Sequence, residues 1–80
     1  MEVRVQLKPG VLDAEAAAVQ KALGLLGIEG LGGVECARLY VLTFPGLSVE
    51  RATAQARRAV EKLLANPVIH RVEIRHRSVP

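Results

Sequence analysis

Two histidines, one cysteine and eight acids are the side chains that could do chemistry in this chain of 80 residues. His70 and His76 fall on one face of an extended stretch, but a zinc site takes three or four ligands held together. Cys36 stands alone, which excludes an internal disulfide and a Cys-rich metal site. On a strand face it reads as an inert core thiol. Ser48 precedes a helical stretch and reads as a helix cap, with no base placed beside it by sequence. Any two of the acids could be paired on paper, so a general acid/base reading has no specificity. Gly30-Leu31-Gly32-Gly33 precedes a strand, whereas a phosphate-binding glycine loop follows a strand and opens a helix. No catalytic, cofactor-binding or metal-ligating residue is assigned.

At this length and composition a full enzyme with a substrate cleft and its own cofactor fold is not expected. Half of the residues are apolar, and eleven of those are alanine. That allows one thin core and a single domain over residues 1–80. Eleven Lys and Arg against eight acids give a formal charge of +3. This mild excess suits an acidic protein partner as well as nucleic acid. Sheet-surface RNA readers stack bases on two or three exposed aromatics. Only Tyr40 and Phe44 are available here, and Tyr40 sits among core positions. Arg51, Arg58 and Lys62 could meet phosphates, but such a charged helix face is usually just solvated. No apolar run approaches the roughly 18 residues that span a bilayer. Met1 to Lys8 alternates charge and apolar residue, unlike a signal peptide. The expected location is the cytoplasm, with no membrane.

Those side chains must be positioned by a small set of elements. Glu2 to Lys8 is a strand of strict period two, with Val3, Val5 and Leu7 on its buried face. Lys8-Pro9-Gly10 ends it, proline fixing φ and glycine supplying positive φ. Asp13 caps a helix from Ala14 to about Leu26, with Ala16, Val19, Leu23 and Leu26 as its apolar stripe. Val34 to Phe44 reads as extended. Cys36, Arg38, Tyr40 and Leu42 share one face, and Leu39 and Val41 the other. Apolar residues on both faces suggest burial on both sides. With two helices on one face, Leu39 and Val41 would need a second chain; the plain alternative leaves them on the surface. Phe44-Pro45-Gly46 breaks the strand. Ser48 opens a second helix from about Val49 to Ala65, with Ala52, Ala56, Val60, Leu63 and Leu64 as its stripe. Asn66-Pro67 ends it. Val68 to His76 forms the last strand, and the basic tail Arg75-His76-Arg77-Ser78 is expected to fray.

The order is β-α-β-α-β. A bend near Ala37 and Arg38 would turn it into the β-α-β-β-α-β of a ferredoxin-like sandwich. An unbent middle strand would allow parallel crossovers. The favoured reading is a two-layer α+β sandwich, ferredoxin-like-related, with a mainly antiparallel sheet and both helices on one face.

Two segments go beyond this generic pattern: Leu7-Lys8-Pro9-Gly10-Val11-Leu12-Asp13 before an alanine-rich helix, and Lys62-Leu63-Leu64-Ala65-Asn66-Pro67-Val68-Ile69 before the last strand. Together they resemble the PurS family, the small subunit of phosphoribosylformylglycinamidine synthase, over essentially the whole chain. Three departures accompany the match. Ala14-Glu15-Ala16 replaces a Pro-x-Gly after the aspartate. Ala37-Arg38 replaces a Gly-Lys, and His70 stands where the family commonly has Glu.

The resemblance implies a non-catalytic subunit of an ATP- and glutamine-dependent ligase complex in purine biosynthesis. It implies a homodimer or tetramer that bridges a large synthetase subunit and a glutaminase subunit and supports ammonia transfer. ATP and magnesium are then expected on the large subunit, with no cofactor in this chain. Lys8, Pro9, Gly10, Asp13, Arg38, Asn66 and Pro67 become the motif and partner-contact candidates. Leu39 and Val41 are the candidates for the oligomer interface. The rivals are an ACT-like small-molecule regulatory domain and an RNA-binding module, the latter weakened by the aromatic count.

Overall fold

The structure, a computed structural model, describes residues 1–76. The elements run β1 (Glu2–Leu7), α1 (Ala14–Leu25), β2 (Ala37–Val41), α2 (Val49–Ala59) and β3 (His70–Arg75). A π-helical turn over Val60–Leu64 continues α2. Arg77 and Ser78 of the basic tail lie outside the described residues.

The sheet has the order β2-β1-β3, and β1 pairs antiparallel with both neighbours. This removes the parallel-crossover alternative. The register sets Val3 between Tyr40 and Ile74, and Val5 between Arg38 and Val72. Directly paired residues share a face, so these form the inner side. On the outer side Glu2 lies between Val41 and Arg75, and Arg4 between Leu39 and Glu73. Opposite charges are therefore cross-strand neighbours on β1 and β3, and the apolar part of the outer face is confined to β2. In the single chain Leu39 is 58% and Val41 48% exposed.

The middle extended stretch is shorter than its sequence pattern suggests. Pairing starts at Ala37, and residues 34–36 have no strand partner among the described residues. β2 runs unbroken from Ala37, so the conditional bend at Ala37 and Arg38 is absent and the described residues have one strand fewer than the β-α-β-β-α-β order. Ala37, where a glycine would relax the backbone, is consistent with an unbent start to β2.

The second helix follows its sequence signals closely at the start. The Ser48 hydroxyl oxygen accepts from the Arg51 N–H at 3.2 Å. Ala52 and Ala56 are buried, and small side chains there let the helix lie close over Val3 and Val5. Tyr40, Leu42, Phe44, Val60, Leu64, Val72 and Ile74 close around this centre. Fully burying a valine such as Val3 contributes about 1.5–3 kcal/mol. The helix end departs from the α pattern. The Ala65 N–H donates to the Val60 carbonyl at 3.2 Å, a five-residue step. That wider turn keeps Val60, Leu64 and Ala65 on the core and swings Leu63 out to 85% exposure. Leu63, expected in the buried stripe, is thus a surface residue.

The first helix is capped at both ends and packs only at its start. Asp13 Oδ1 accepts from the Ala16 N–H at 2.9 Å. At the other end, the Gly27 N–H donates to the Gly24 carbonyl and the Ile28 N–H to the Leu23 carbonyl, each at 3.1 Å. This is a Schellman ending. Of the expected stripe Ala16, Val19, Leu23 and Leu26, Ala16 alone is buried, and Leu26 is 77% exposed. Sheet width explains this. Three strands about 4.8 Å apart offer a face only about as wide as one helix of diameter ~10 Å. The helix α2 takes most of that face, and among the described residues no fourth strand widens it for α1. The radius of gyration is 16.1 Å, against about 12 Å for a compact chain of this length.

Candidate contact surface

The two sequence motifs meet at one end of the sheet. The first is a closed turn: the Val11 N–H donates to the Lys8 carbonyl at 3.1 Å, with Gly10 at φ 87°. Proline before a positive-φ glycine is the type II arrangement, and an L side chain at that glycine would be strained. The second turn is tied more tightly. Asn66 Oδ1 accepts from the Val68 N–H at 2.9 Å. The Asn66 carbonyl accepts from the Ile69 and His70 N–H groups at 3.1 and 2.8 Å. The Asn66 N–H in turn donates to His70 Nδ1 at 2.8 Å. A backbone bond joins the two turns, the Lys8 N–H donating to the Ile69 carbonyl at 2.8 Å.

Lys8, Pro9, Gly10, Asn66 and Pro67 are all exposed on this end, while Asp13 is half-buried by its capping bond. Arg38 is not on the turns. It stands opposite Val5, on the part of the inner face that α2 leaves uncovered. An open concavity there is lined by Val5, Leu7 and Tyr40 together with Asp13, Arg38 and His70. Leu39 and Val41 lie on the other side of the sheet, away from the turns.

His70 is a residue whose job the sequence pattern did not disclose. An Asn-Pro turn followed four residues on by histidine was the available signal, since that ring can accept the first N–H of the turn. Cys36 sits just before β2 rather than on a strand face and is half-buried. Desolvation, and after it the charges of Asp13 and Glu15, push its thiol up from the ordinary cysteine value. Among the described residues, no group of three or more His, Cys, Asp or Glu side chains could hold a metal ion. No described helix is long and apolar enough to cross a membrane.

The family model for PurS, described as phosphoribosylformylglycinamidine (FGAM) synthase, matches residues 1–78. The chain belongs to the PurS family. It is similar to the FGAM synthase subunit PurS of Archaeoglobus fulgidus, 38% identical over 73 residues that cover 91% of each chain. Its likeness to the Methanocaldococcus jannaschii subunit is 36% identity over 73 residues, 91% of this chain and 88% of that one. The crystal structure of M. jannaschii PurS, one of the subunits of formylglycinamide ribonucleotide amidotransferase in the purine biosynthetic pathway, superposes with a TM-score of 0.86. That match covers 99% of this chain and 95% of the other, at 32% identity. As a member of that family, the chain is a subunit of FGAM synthase in purine biosynthesis.

Proposed function

We propose that this PurS chain is the non-catalytic small subunit that bridges the large synthetase subunit and the glutaminase subunit, working in the cytoplasm and helping ammonia pass between them. The observation that carries this reading is the joined pair of motif turns. Lys8-Pro9-Gly10 and Asn66-Pro67 are stiffened by proline, held to each other through Lys8 and Ile69, and exposed. A rigid, exposed surface binds with little ordering cost. ATP and magnesium belong in this reading to the large subunit.

We also propose that the chain works as a homodimer or tetramer. Apolar side chains of α1 and the stretch after it are exposed, Leu25, Leu26 and Ile28 among them. The inner face beside α2 is open, and Leu39 and Val41 are bare on the outer side. A second copy could cover all three. Leu39→Glu or Val41→Glu is expected to lower the mass measured by light scattering, by placing an unpaired charge in the contact.

Reconstitution tests the bridging role. Synthetase and glutaminase subunits are assayed for amidine formation from glutamine, with and without this chain. A large gain with the chain is expected; equal rates without it would remove the bridging role.

A further inference from the structure

We infer that the solvent face of α2, from Arg51 through Arg58 to Lys62, docks an acidic surface on a partner protein, with Leu63 entering an apolar socket there. The inference rests on the reading of this chain as an assembly subunit and adds a surface separate from the motif turns. Ala52 and Ala56 turn toward the sheet, so residues three and four apart on the far side, Arg51 and Arg58 among them, face water. Arg51, Arg58 and Lys62 make no ion pair among the described residues. Their charge is available to a partner at no cost of breaking an internal contact.

The second observation is independent of charge. The π-helical turn exposes Leu63 at the end of this cationic face while its neighbours Val60 and Leu64 stay on the core. Such turns occur often at functional sites. Val68, in the turn that follows, is also exposed. A second copy is a poor occupant, because a two-fold contact on this face would set arginine against arginine. Nucleic acid is a poor one too, since the face carries no aromatic side chain for bases to stack on. An acidic protein surface around an apolar pocket satisfies both features.

Purified wild-type chain, Arg51→Glu/Arg58→Glu and Leu63→Glu are titrated into the synthetase and glutaminase subunits at low and high salt. All three are first matched by circular dichroism, and Leu63→Ala serves in place of Leu63→Glu if that variant loses structure. Each variant is expected to bind on the order of tenfold more weakly. The double charge reversal should lose most of its deficit at high salt, while the Leu63 deficit persists. Wild-type binding with both variants unchanged overturns this inference and leaves the bridging role standing. Failure of the wild type to bind either subunit overturns both. Salt-sensitive binding of homopolymer RNA that is lost in the double variant, with subunit binding unchanged, would assign the face to nucleic acid instead.

Discussion

The two halves of the molecule are punctuated alike and end differently. Each begins with a strand, passes through a Pro-Gly turn and enters a side-chain-capped helix. Lys8-Pro9-Gly10-Val11 leads to Asp13 and α1; Phe44-Pro45-Gly46-Leu47 leads to Ser48 and α2. Gly10 and Gly46 hold φ values of 87° and 77°. Yet α2 lies on the sheet along its length, while α1 buries Ala16 alone and adds no residue to the core cluster. Local signals therefore decide where a helix starts and stops. Whether it packs is decided by the width of the face it finds. The first helix is an element whose partner surface the single chain does not provide, and this difference is what an oligomer would exploit.

The largest effect should come from placing the same charge in each half. Ala56→Glu puts a carboxylate at a fully buried position over Val3 and Val5. An unpaired charge there is expected to cost about 3 kcal/mol or more, which is a large part of the stability of so small a domain. Circular dichroism should report a largely unfolded chain. Leu26→Glu alters a side chain already in water, so the urea midpoint of dilute protein should shift by no more than about 0.5 kcal/mol. In light scattering at high concentration, the Leu26 variant should have the lower mass. Equal losses of stability in both variants would mean that α1 packs within its own chain.

Turn chemistry should give the next largest effect, and similar in both halves. Nothing lies within 4 Å of a Cβ added at Gly10 or Gly46, so alanine there meets backbone strain without a clash. A cost of about 1–2 kcal/mol is expected for each. Gly46→Ala should lower the melting temperature of the whole fold. Gly10→Ala should in addition disturb the Lys8–Ile69 bond and weaken assembly with the larger subunits.

Legibility in the sequence followed the same division. Strict alternation over Glu2 to Leu7 located the central strand, and Pro-Gly with Asp13 and Ser48 located both helix starts, because these are local devices. The antiparallel register and the meeting of the two motif turns are consistent with the family resemblance, and their pairwise details come only from the tertiary structure. Three features had no local signature. Leu63 reads as a stripe residue at α spacing, and only the five-residue hydrogen bond of the π-turn turns it outward. Val34 to Cys36 reads as strand because those residues suit one, but strand pairing needs a neighbour, and none pairs with them among the described residues. Leu26 reads as buried because its spacing is right, although the sheet has no room beneath it.

The smallest effects concern the caps, and they separate the halves most cleanly. Asp13→Ala and Ser48→Ala each remove one side-chain acceptor from a helix N-terminus, worth about 1 kcal/mol of local helix stability. For Ser48 the loss should appear in the global unfolding curve, because α2 unfolds only with the core. For Asp13 it should appear as faster amide exchange at Ala16 and Ala17 with little change in the global midpoint, because the rest of α1 can fray while the sheet stays folded. The same aspartate also bears on Cys36. Asp13→Asn keeps a capping oxygen but removes a negative charge that holds the thiol up. Its pKa should move down toward the ordinary value, and alkylation of Cys36 at neutral pH should speed up modestly. The rise should stay small, since desolvation is the larger cause. Unchanged alkylation together with a lowered global midpoint would place Asp13 and the start of α1 inside the cooperative core, and the contrast between the two helices would then fail at its first turn.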